Sequence, residues 1–179
     1  MKFEAVVEQA TLETERLILR PLRKSDAGLL SLYASDLRVA EATRTIPHPY
    51  PPGAAEATVA RAASPDRTED LWVFDGSGSD LSEVLGLASL QRMDREQSEI
   101  SYWVAPAFWN TGLASEAVRA LIKANPQNAR TYFASVFQDN PSSARVLTNA
   151  GFEYIGDAEA HSVARGQTVP TWTYILKLD

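Results

Sequence analysis

The 179-residue sequence predicts a single α/β domain, 1–179, built on a mixed, twisted and mostly antiparallel sheet with helices on both faces. Three observations lead to this fold class. Apolar or alternating runs of strand length recur along the chain, amphipathic helical runs separate them, and no repeat or long linker divides the sequence. A chain of this length buries roughly 70% of its unfolded surface on folding, which is enough for one substantial core.

The N-terminal part is predicted to hold one strand and two or three helices. Residues 14–22 read as the first strand, and Asp26 lies where an amphipathic helix begins. A second helical piece covers residues 37–43. The proline-rich run 46–53 excludes regular helix and central strand, and residues 54–63 resume as helix.

The remaining residues alternate between strands and helices, with glycine, asparagine and proline at the boundaries. The segment 75–80 predicts a flexible hairpin tip, and Gly151 suits the C-terminal end of a helix. These elements bring the predicted sheet to about seven strands. They are strands 71–74, 84–92 and 99–104, helix 112–124, strand 131–137, helix 140–150, and strands 152–156 and 171–178.

Composition and charge argue against several classes of function. A formal net charge of −6 disfavours broad nucleic-acid binding, which requires a basic surface. No apolar run approaches the roughly 18–20 residues that cross a membrane. The absence of cysteine excludes disulfides, and His48 and His161 lack partners at metal-ligand spacing. The first residues have no signal-peptide signature, so we expect a cytoplasmic protein without a metal site.

The most informative segment begins at Trp109, where an extended run passes into a helical pattern. A helix N-terminus exposes unpaired backbone N–H groups and the positive end of the helix dipole, which together attract anions such as pyrophosphate. Gly112 removes the side chain that would keep a ligand away from this backbone. A phosphate-bearing cofactor is therefore predicted here. The alternative is that Gly112 has only a structural role as the residue at which the helix begins.

A second helix is predicted to begin at Asn140. Asparagine is a favoured N-cap and Pro141 suits the first helical position, which is a sufficient structural reason for both residues. Ser143 and Arg145 follow in the first turns. For each of these two residues, the alternative to a role in binding is a side chain that only faces solvent.

Seven motifs follow one another along the chain: 12–21, Asp26, 47–52, 99–103, 109–114, 140–146 and Gly151-Phe152. Together they resemble the GNAT superfamily of acetyl-CoA-dependent N-acetyltransferases. Within it they are similar to the ribosomal-protein N-terminal alanine and serine acetyltransferases. The resemblance extends from about residue 12 to residue 177, and it rests on the joint order and spacing of the motifs.

The resemblance implies acetyl-CoA as the cofactor. It assigns the backbone amides of the loop at 109–114 to the pyrophosphate, and the strand 102–104 to the pantetheine arm and the thioester carbonyl. It assigns the helix start at Asn140 to the sulfur end of the cofactor. The implied cofactor-binding residues are Tyr102, Trp103, Val104, Trp109, Asn110, Thr111, Gly112, Leu113, Ala114, Asn140, Ser143 and Arg145.

Attack of an amine on a thioester requires an ammonium to lose a proton and a thiolate to leave. The resemblance makes Glu99 the candidate base, with water or a merely surface-exposed glutamate as alternatives. It makes Ser143 the candidate that protonates or hydrogen-bonds the sulfur, because Thr148 stands where many members carry a tyrosine. Many members also carry basic residues at the start of the pyrophosphate loop. Here Trp109 and neutral neighbours leave phosphate binding to backbone amides and outlying arginines.

The amine acceptor is predicted to enter between the proline-rich loop and the hairpin 158–170. Its identity stays open between a protein or peptide N-terminus and a small-molecule amine. A different class of function, a non-catalytic acyl-CoA-binding sensor or regulator of the same fold, also stays open. A monomer and a homodimer fit the sequence equally. The side chains expected near the acceptor are Glu41, Arg44, His48, Tyr50 and Trp172.

Overall fold

The computed structural model describes residues 9–178, which form an eight-stranded sheet with helices against both faces. The strands are β1 (Leu12–Glu13), β2 (Ile18–Pro21), β3 (Glu69–Asp75), β4 (Gly86–Met93), β5 (Gln97–Val104), β6 (Thr131–Phe137), β7 (Glu153–Ser162) and β8 (Gln167–Lys177). Their spatial order is β1-β2-β3-β4-β5-β6-β8-β7, and only β5 and β6 pair in parallel. The predicted mixed, mostly antiparallel sheet is confirmed, with one more strand than expected.

Within residues 9–178, five α-helices divide between the two faces of the sheet. They are α1 (Ala27–Ala34), α2 (Leu37–Ala42), α3 (Ala54–Ala62), α4 (Leu113–Ala124) and α5 (Pro141–Asn149). Successive strand residues point to opposite faces. Trp72 and Ile100 pack beneath α4 and α5, whereas Val73 and Trp103 pack against α1 and α3. No helix within residues 9–178 combines the length and apolar character that a membrane span requires.

The parallel strands β5 and β6 separate soon after they begin. Their pairing runs from Gln97 opposite Thr131 to Glu99 opposite Phe133, and it extends no further in the described chain. On its other edge β5 stays paired with β4 as far as Val104. The second half of β5 therefore faces an opening rather than a neighbouring strand.

The first and last strands differ from the predictions. The predicted strand 14–22 is a short β1–β2 hairpin, because the Thr14 N–H donates to the Leu17 carbonyl (2.8 Å) and the Leu17 N–H donates to Thr14 Oγ1 (3.0 Å). The last two strands are longer than predicted and meet at a turn over residues 163–166. Most of β7 is exposed at the edge of the sheet, so its sequence lacks the alternation that indicates a half-buried strand.

A buried ion cluster joins β2, the turn before α1 and the end of β3. The Arg20 guanidinium donates to both carboxylate oxygens of Asp26 (2.8 and 2.9 Å) and to Asp75 Oδ2 (2.8 Å). Burial alone would raise the pKa of the Asp75 carboxyl, but hydrogen bonds from Arg20 and Ser77 hold that pKa below its ordinary value. The cluster holds α1 in place against the sheet.

Candidate active site

The opening between β5 and β6 leads into a cavity of about 560 Å³. Its walls come from the separated halves of these strands and from the first turn of α5, and across the sheet from α1, α3 and residues 42–47. Glu99 lies at the closed end, where the parallel pairing stops. The cavity therefore reaches both faces of the sheet.

Backbone groups of β5 point into this opening. The Ala105 N–H donates to the Leu85 carbonyl (2.8 Å), so the odd-numbered residues at this end of β5 direct their backbone groups toward β4. Because these groups alternate along a strand, Tyr102 and Val104 direct theirs toward the opening. The Val104 carbonyl accepts the indole N–H of Trp109 there (2.6 Å). The arrangement provides the N–H donors that polarisation of a thioester carbonyl requires.

The loop before α4 has the backbone expected of an anion site. Asn110 and Gly112 both take left-handed conformations, with φ of +61° and +84°, and Gly112 is the N-cap of α4. Because Gly112 has no side chain, it leaves the first N–H groups of the helix uncapped. Asn110, Thr111 and Gly112 are exposed, whereas Leu113 is buried in the core and Ala114 packs against it.

Arg16 also belongs to this loop, and sequence reasoning missed it. Its Nη1 donates to the Thr111 carbonyl (2.8 Å), and its Nε donates to Glu116 Oε1 (2.8 Å). Its Nη2 lies 3.2 Å from the place that a Cβ on Gly112 would occupy. Burial would raise the pKa of the Glu116 carboxyl, but hydrogen bonds from Thr14 and Arg16 keep that pKa below its ordinary value. A fixed guanidinium thus stands at the N-terminus of α4, where the loop itself has no basic residue.

The first turn of α5 brings Asn140 and Ser143 to the cavity. The Asn140 side chain caps the helix by accepting the Ser143 N–H (3.3 Å), which confirms the predicted N-cap. Ser143 Oγ donates to the phenolic oxygen of Tyr102 (3.0 Å), and that phenol donates to the Ser143 carbonyl (2.9 Å). The Tyr102 side chain therefore positions Ser143, a contact that the sequence did not predict.

Tyr102 stays protonated under ordinary conditions. Burial raises the pKa of its phenol well above the usual value, and the hydrogen bond with Ser143 offsets only part of that rise. The phenol therefore remains a hydrogen-bond donor at neutral pH. The two hydroxyl groups form a neutral pair beside the separated strands.

The other two predicted side chains, Glu99 and Arg145, lie in different surroundings. Glu99 lines the cavity and forms an ion pair with Arg44, which comes from the loop after α2. Arg145 lies on the exposed surface of α5 and donates to Ser142 Oγ (3.2 Å). Its predicted contact with the cofactor remains a prediction.

The acceptor side of the cavity contains only some of the expected side chains. Arg44 and Tyr50 line it, while Glu41, His48 and Trp172 lie outside its wall. Trp172 instead packs against the core that contains Trp72 and Ile100, and the Glu41 carbonyl accepts two N–H groups of Arg165 (2.8 and 3.2 Å).

The cavity also contains Glu69, which sequence reasoning missed. Burial raises the pKa of the Glu69 carboxyl above its ordinary value, and the charge of Arg61 and the neighbouring Ser89 hydroxyl offset this only in part. Glu69 lies at the start of β3, and only the register of the sheet shows that it faces the cavity.

Known proteins share this sequence pattern and fold. The sequence matches the acetyltransferase (GNAT) domain family over residues 16–153. It is 27% identical to an uncharacterised N-acetyltransferase, p20, from Bacillus licheniformis, over 93% of this chain and 95% of that protein.

Two solved structures have the same fold at low sequence identity. The microcin C7 self-immunity acetyltransferase MccE, in complex with acetyl-CoA and AMP, superposes with a TM-score of 0.79 at 13% identity, over 92% of this chain and 93% of that chain. RimL, the ribosomal L7/L12 α-N-protein acetyltransferase in complex with coenzyme A, superposes with a TM-score of 0.79 at 15% identity, over 95% of this chain and 99% of that chain. Because the family match covers most of the chain and includes both separated strands and the α4 loop, the chain belongs to the GNAT acetyltransferase family and is an N-acetyltransferase.

Proposed function

We propose that this protein transfers the acetyl group of acetyl-CoA to a primary amine by direct attack within a ternary complex. The observation that carries the proposal is the separation of β5 from β6 directly after Glu99. It creates a passage through the sheet with the α4 and α5 helix starts on one face and a charged pocket on the other. Two substrates can therefore meet from opposite faces.

The loop before α4 fits the pyrophosphate of coenzyme A. An added Cβ on Gly112 would point at the Arg16 guanidinium, so the space in front of the helix is kept open beside a fixed cation. Uncapped N–H groups and a guanidinium are the donors that bind phosphate groups. We assign Trp109, Asn110, Thr111, Gly112, Leu113 and Ala114 to this part of the cofactor site.

The separated part of β5 and the start of α5 would hold the remainder of the cofactor. We assign the strand residues Tyr102, Trp103 and Val104 to the pantetheine arm and the thioester carbonyl, with the backbone groups of Tyr102 and Val104, rather than those of Trp103, facing the cofactor. Asn140 and Ser143 would face the sulfur end, and Arg145 would lie near the phosphates. When bound, acetyl-CoA supplies an activated acyl group and a thiolate leaving group.

Two groups of the chain would handle protons. The Glu99 carboxylate would attract the acceptor ammonium. It would then either accept a proton from the ammonium or direct that proton to a neighbouring group. Ser143 Oγ would turn its O–H from the Tyr102 phenolic oxygen to the sulfur, while the neutral Tyr102 phenol keeps Ser143 in position through its own hydrogen bond to the Ser143 carbonyl. No covalent acyl-enzyme is required by this arrangement.

The acceptor class we propose is the α-amine of a peptide or protein N-terminus. The sequence motifs are similar to those of ribosomal-protein N-terminal acetyltransferases, and RimL shares the fold over nearly the whole chain. Residues 43–47 line the cavity next to Glu99, so this loop would contact an extended segment bound there. A small-molecule amine is the alternative that an acceptor screen would identify.

The test combines binding and turnover. Calorimetric titration with acetyl-CoA and with coenzyme A should show binding, and peptides with N-terminal alanine or serine should then release free coenzyme A in a thiol assay. Absence of acetyl-CoA binding by the folded protein would refute the proposed function. Binding without transfer to any amine would favour the non-catalytic sensor instead.

Variants of adjacent serines test the catalytic assignment. Ser143→Ala and Glu99→Gln should each lower kcat by about 10²-fold, the usual effect of losing a group that takes part in or assists proton transfer. Ser142→Ala is the matched control, because Ser142 is exposed one residue earlier on the same helix and contacts Arg145. Equal rates for Ser143→Ala and Ser142→Ala would contradict the role of Ser143.

A further inference from the structure

Two hydroxyl groups connect the open cavity with a second carboxylate. Ser89 of β4 and Ser101 of β5 are cross-strand partners, and their Oγ atoms lie 2.6 Å apart. Both serines line the cavity, where Ser101 is exposed and Ser89 is buried at 6% exposure. Either hydroxyl can donate to the other, so the pair can pass a proton in one direction by rotating its O–H bonds.

Glu69 stands at the inner end of this pair. It lies two residues before Leu71, the β3 partner of Ser89, so Glu69 and Ser89 are diagonal neighbours on one face of the sheet. Such neighbours have Cα atoms about 7–8 Å apart, which a glutamate side chain can bridge. Burial raises the pKa of the Glu69 carboxyl, which makes it a stronger base than an exposed glutamate.

Glu69 also has an exit to the surface. It lines the main cavity and a second, smaller cavity of about 300 Å³, which the segment between α3 and β3 forms. A proton that reaches Glu69 from the first cavity can therefore leave to solvent through the second. The Glu99 carboxylate differs from that of Glu69, because it already forms an ion pair with the Arg44 guanidinium.

We propose that the proton of the acceptor ammonium leaves along Ser101 and Ser89 to Glu69, while Glu99 holds the ammonium in place. The N–H bond breaks as Ser101 Oγ takes the proton, Ser101 passes its own proton to Ser89, and Ser89 passes its proton to the Glu69 carboxylate. The nitrogen keeps its lone pair and attacks the acetyl carbonyl. This inference rests on the proposed amine acetylation and names the proton acceptor for that reaction.

Several charged groups face Glu69 and will influence its titration. Arg61 approaches from α3, Arg44 from the loop after α2, and Glu99 from β5. The smaller cavity adds Asp66 and Arg67 from the segment before β3. Among residues 9–178, no salt bridge engages the Glu69 carboxylate itself.

The first test is a pH series of kcat/KM for Glu69→Gln and Ser89→Ala. Both variants should lose about 10²-fold of kcat/KM near neutral pH, and the loss should shrink as rising pH deprotonates the free amine. Glu56→Gln is the control, because Glu56 is exposed on α3 and loses the same charge. Wild-type pH profiles for both Glu69→Gln and Ser89→Ala would overturn the inference while amine acetylation itself still stood.

The second test does not depend on turnover. The side-chain carboxyl of Glu69 is followed by carbon-13 NMR during a pH titration, and Glu69→Gln assigns the signal. We expect a titration above the ordinary glutamate value of about 4.3, shifted further upward in Ser89→Ala, where the carboxylate loses a hydrogen-bond donor. A titration at or below the ordinary value would overturn the inference. If the wild type transfers acetyl to no amine, the proposed function fails and this role of Glu69 fails with it.

Discussion

Gly112 and Gly53 form a matched pair for testing the cofactor loop. Gly112 begins α4 with φ of +84°, and Gly53 begins α3 with φ of +81°; both are exposed. An alanine in this left-handed region costs roughly 1–2 kcal/mol relative to the right-handed helical region. Gly112→Ala and Gly53→Ala should therefore lower the free energy of unfolding by similar amounts.

The two alanines differ in what their methyl groups meet. At Gly53 an added Cβ has nothing within 4 Å, whereas at Gly112 it lies 3.2 Å from Arg16 Nη2. The end of the flexible Arg16 side chain can make room by shifting a few tenths of an ångström, so this contact adds little to the loss of stability. The added methyl also stands where the pyrophosphate is proposed to approach the backbone.

The two variants should therefore differ in their affinity for acetyl-CoA, although their free energies of unfolding are similar. We expect Gly112→Ala to raise the calorimetric Kd at least about tenfold, which corresponds to about 1.4 kcal/mol. Gly53→Ala should bind acetyl-CoA as the wild type does. Urea unfolding of both variants provides the stability comparison. Equal Kd values for the two variants would refute the placement of the pyrophosphate at Gly112.

Three further predictions concern other contacts of the structure. Glu116→Gln should weaken acetyl-CoA binding several-fold in calorimetry, because the amide cannot hold the Arg16 guanidinium as an ion pair; unchanged binding would contradict the role of Arg16. Tyr102→Phe should lower kcat in the thiol assay more than it changes the KM for acetyl-CoA, because it frees the serine hydroxyl at the start of α5. The pKa of Asp75 is lowered in the folded state, so its ion pair with Arg20 adds stability above about pH 4 that is lost as pH falls. Asp75→Asn should flatten this part of the urea-unfolding profile between pH 5 and pH 2, and an unchanged slope would contradict the assignment.

Local signals explain which parts of the site the sequence could predict. Gly112 acts through its backbone and Asn140 through a side chain that caps its own helix, so helix-start rules predict both positions from neighbouring residues alone. Arg16 acts on Thr111, 95 residues away, and no local pattern connects them. Glu69 faces the cavity only because β3, β4 and β5 pair in one particular register. Contacts that depend on strand register and on long-range packing are the ones that could not be predicted from the single sequence.

In the proposed function, the same register divides the two substrates between the faces of the sheet. On β5 the side chain of Tyr102 reaches α5, while Glu99 and Ser101 face the pocket beneath α1 and α3. A slip of one residue would exchange these faces and move Tyr102 away from Ser143. Strand β5 must therefore keep its register with β4 along its whole length, although it releases β6 after Glu99. In the proposed function, acceptor specificity is carried by the face of Glu99 and Ser101 and by the helices above it, and it can change there without altering the contact between Tyr102 and Ser143 on the other face.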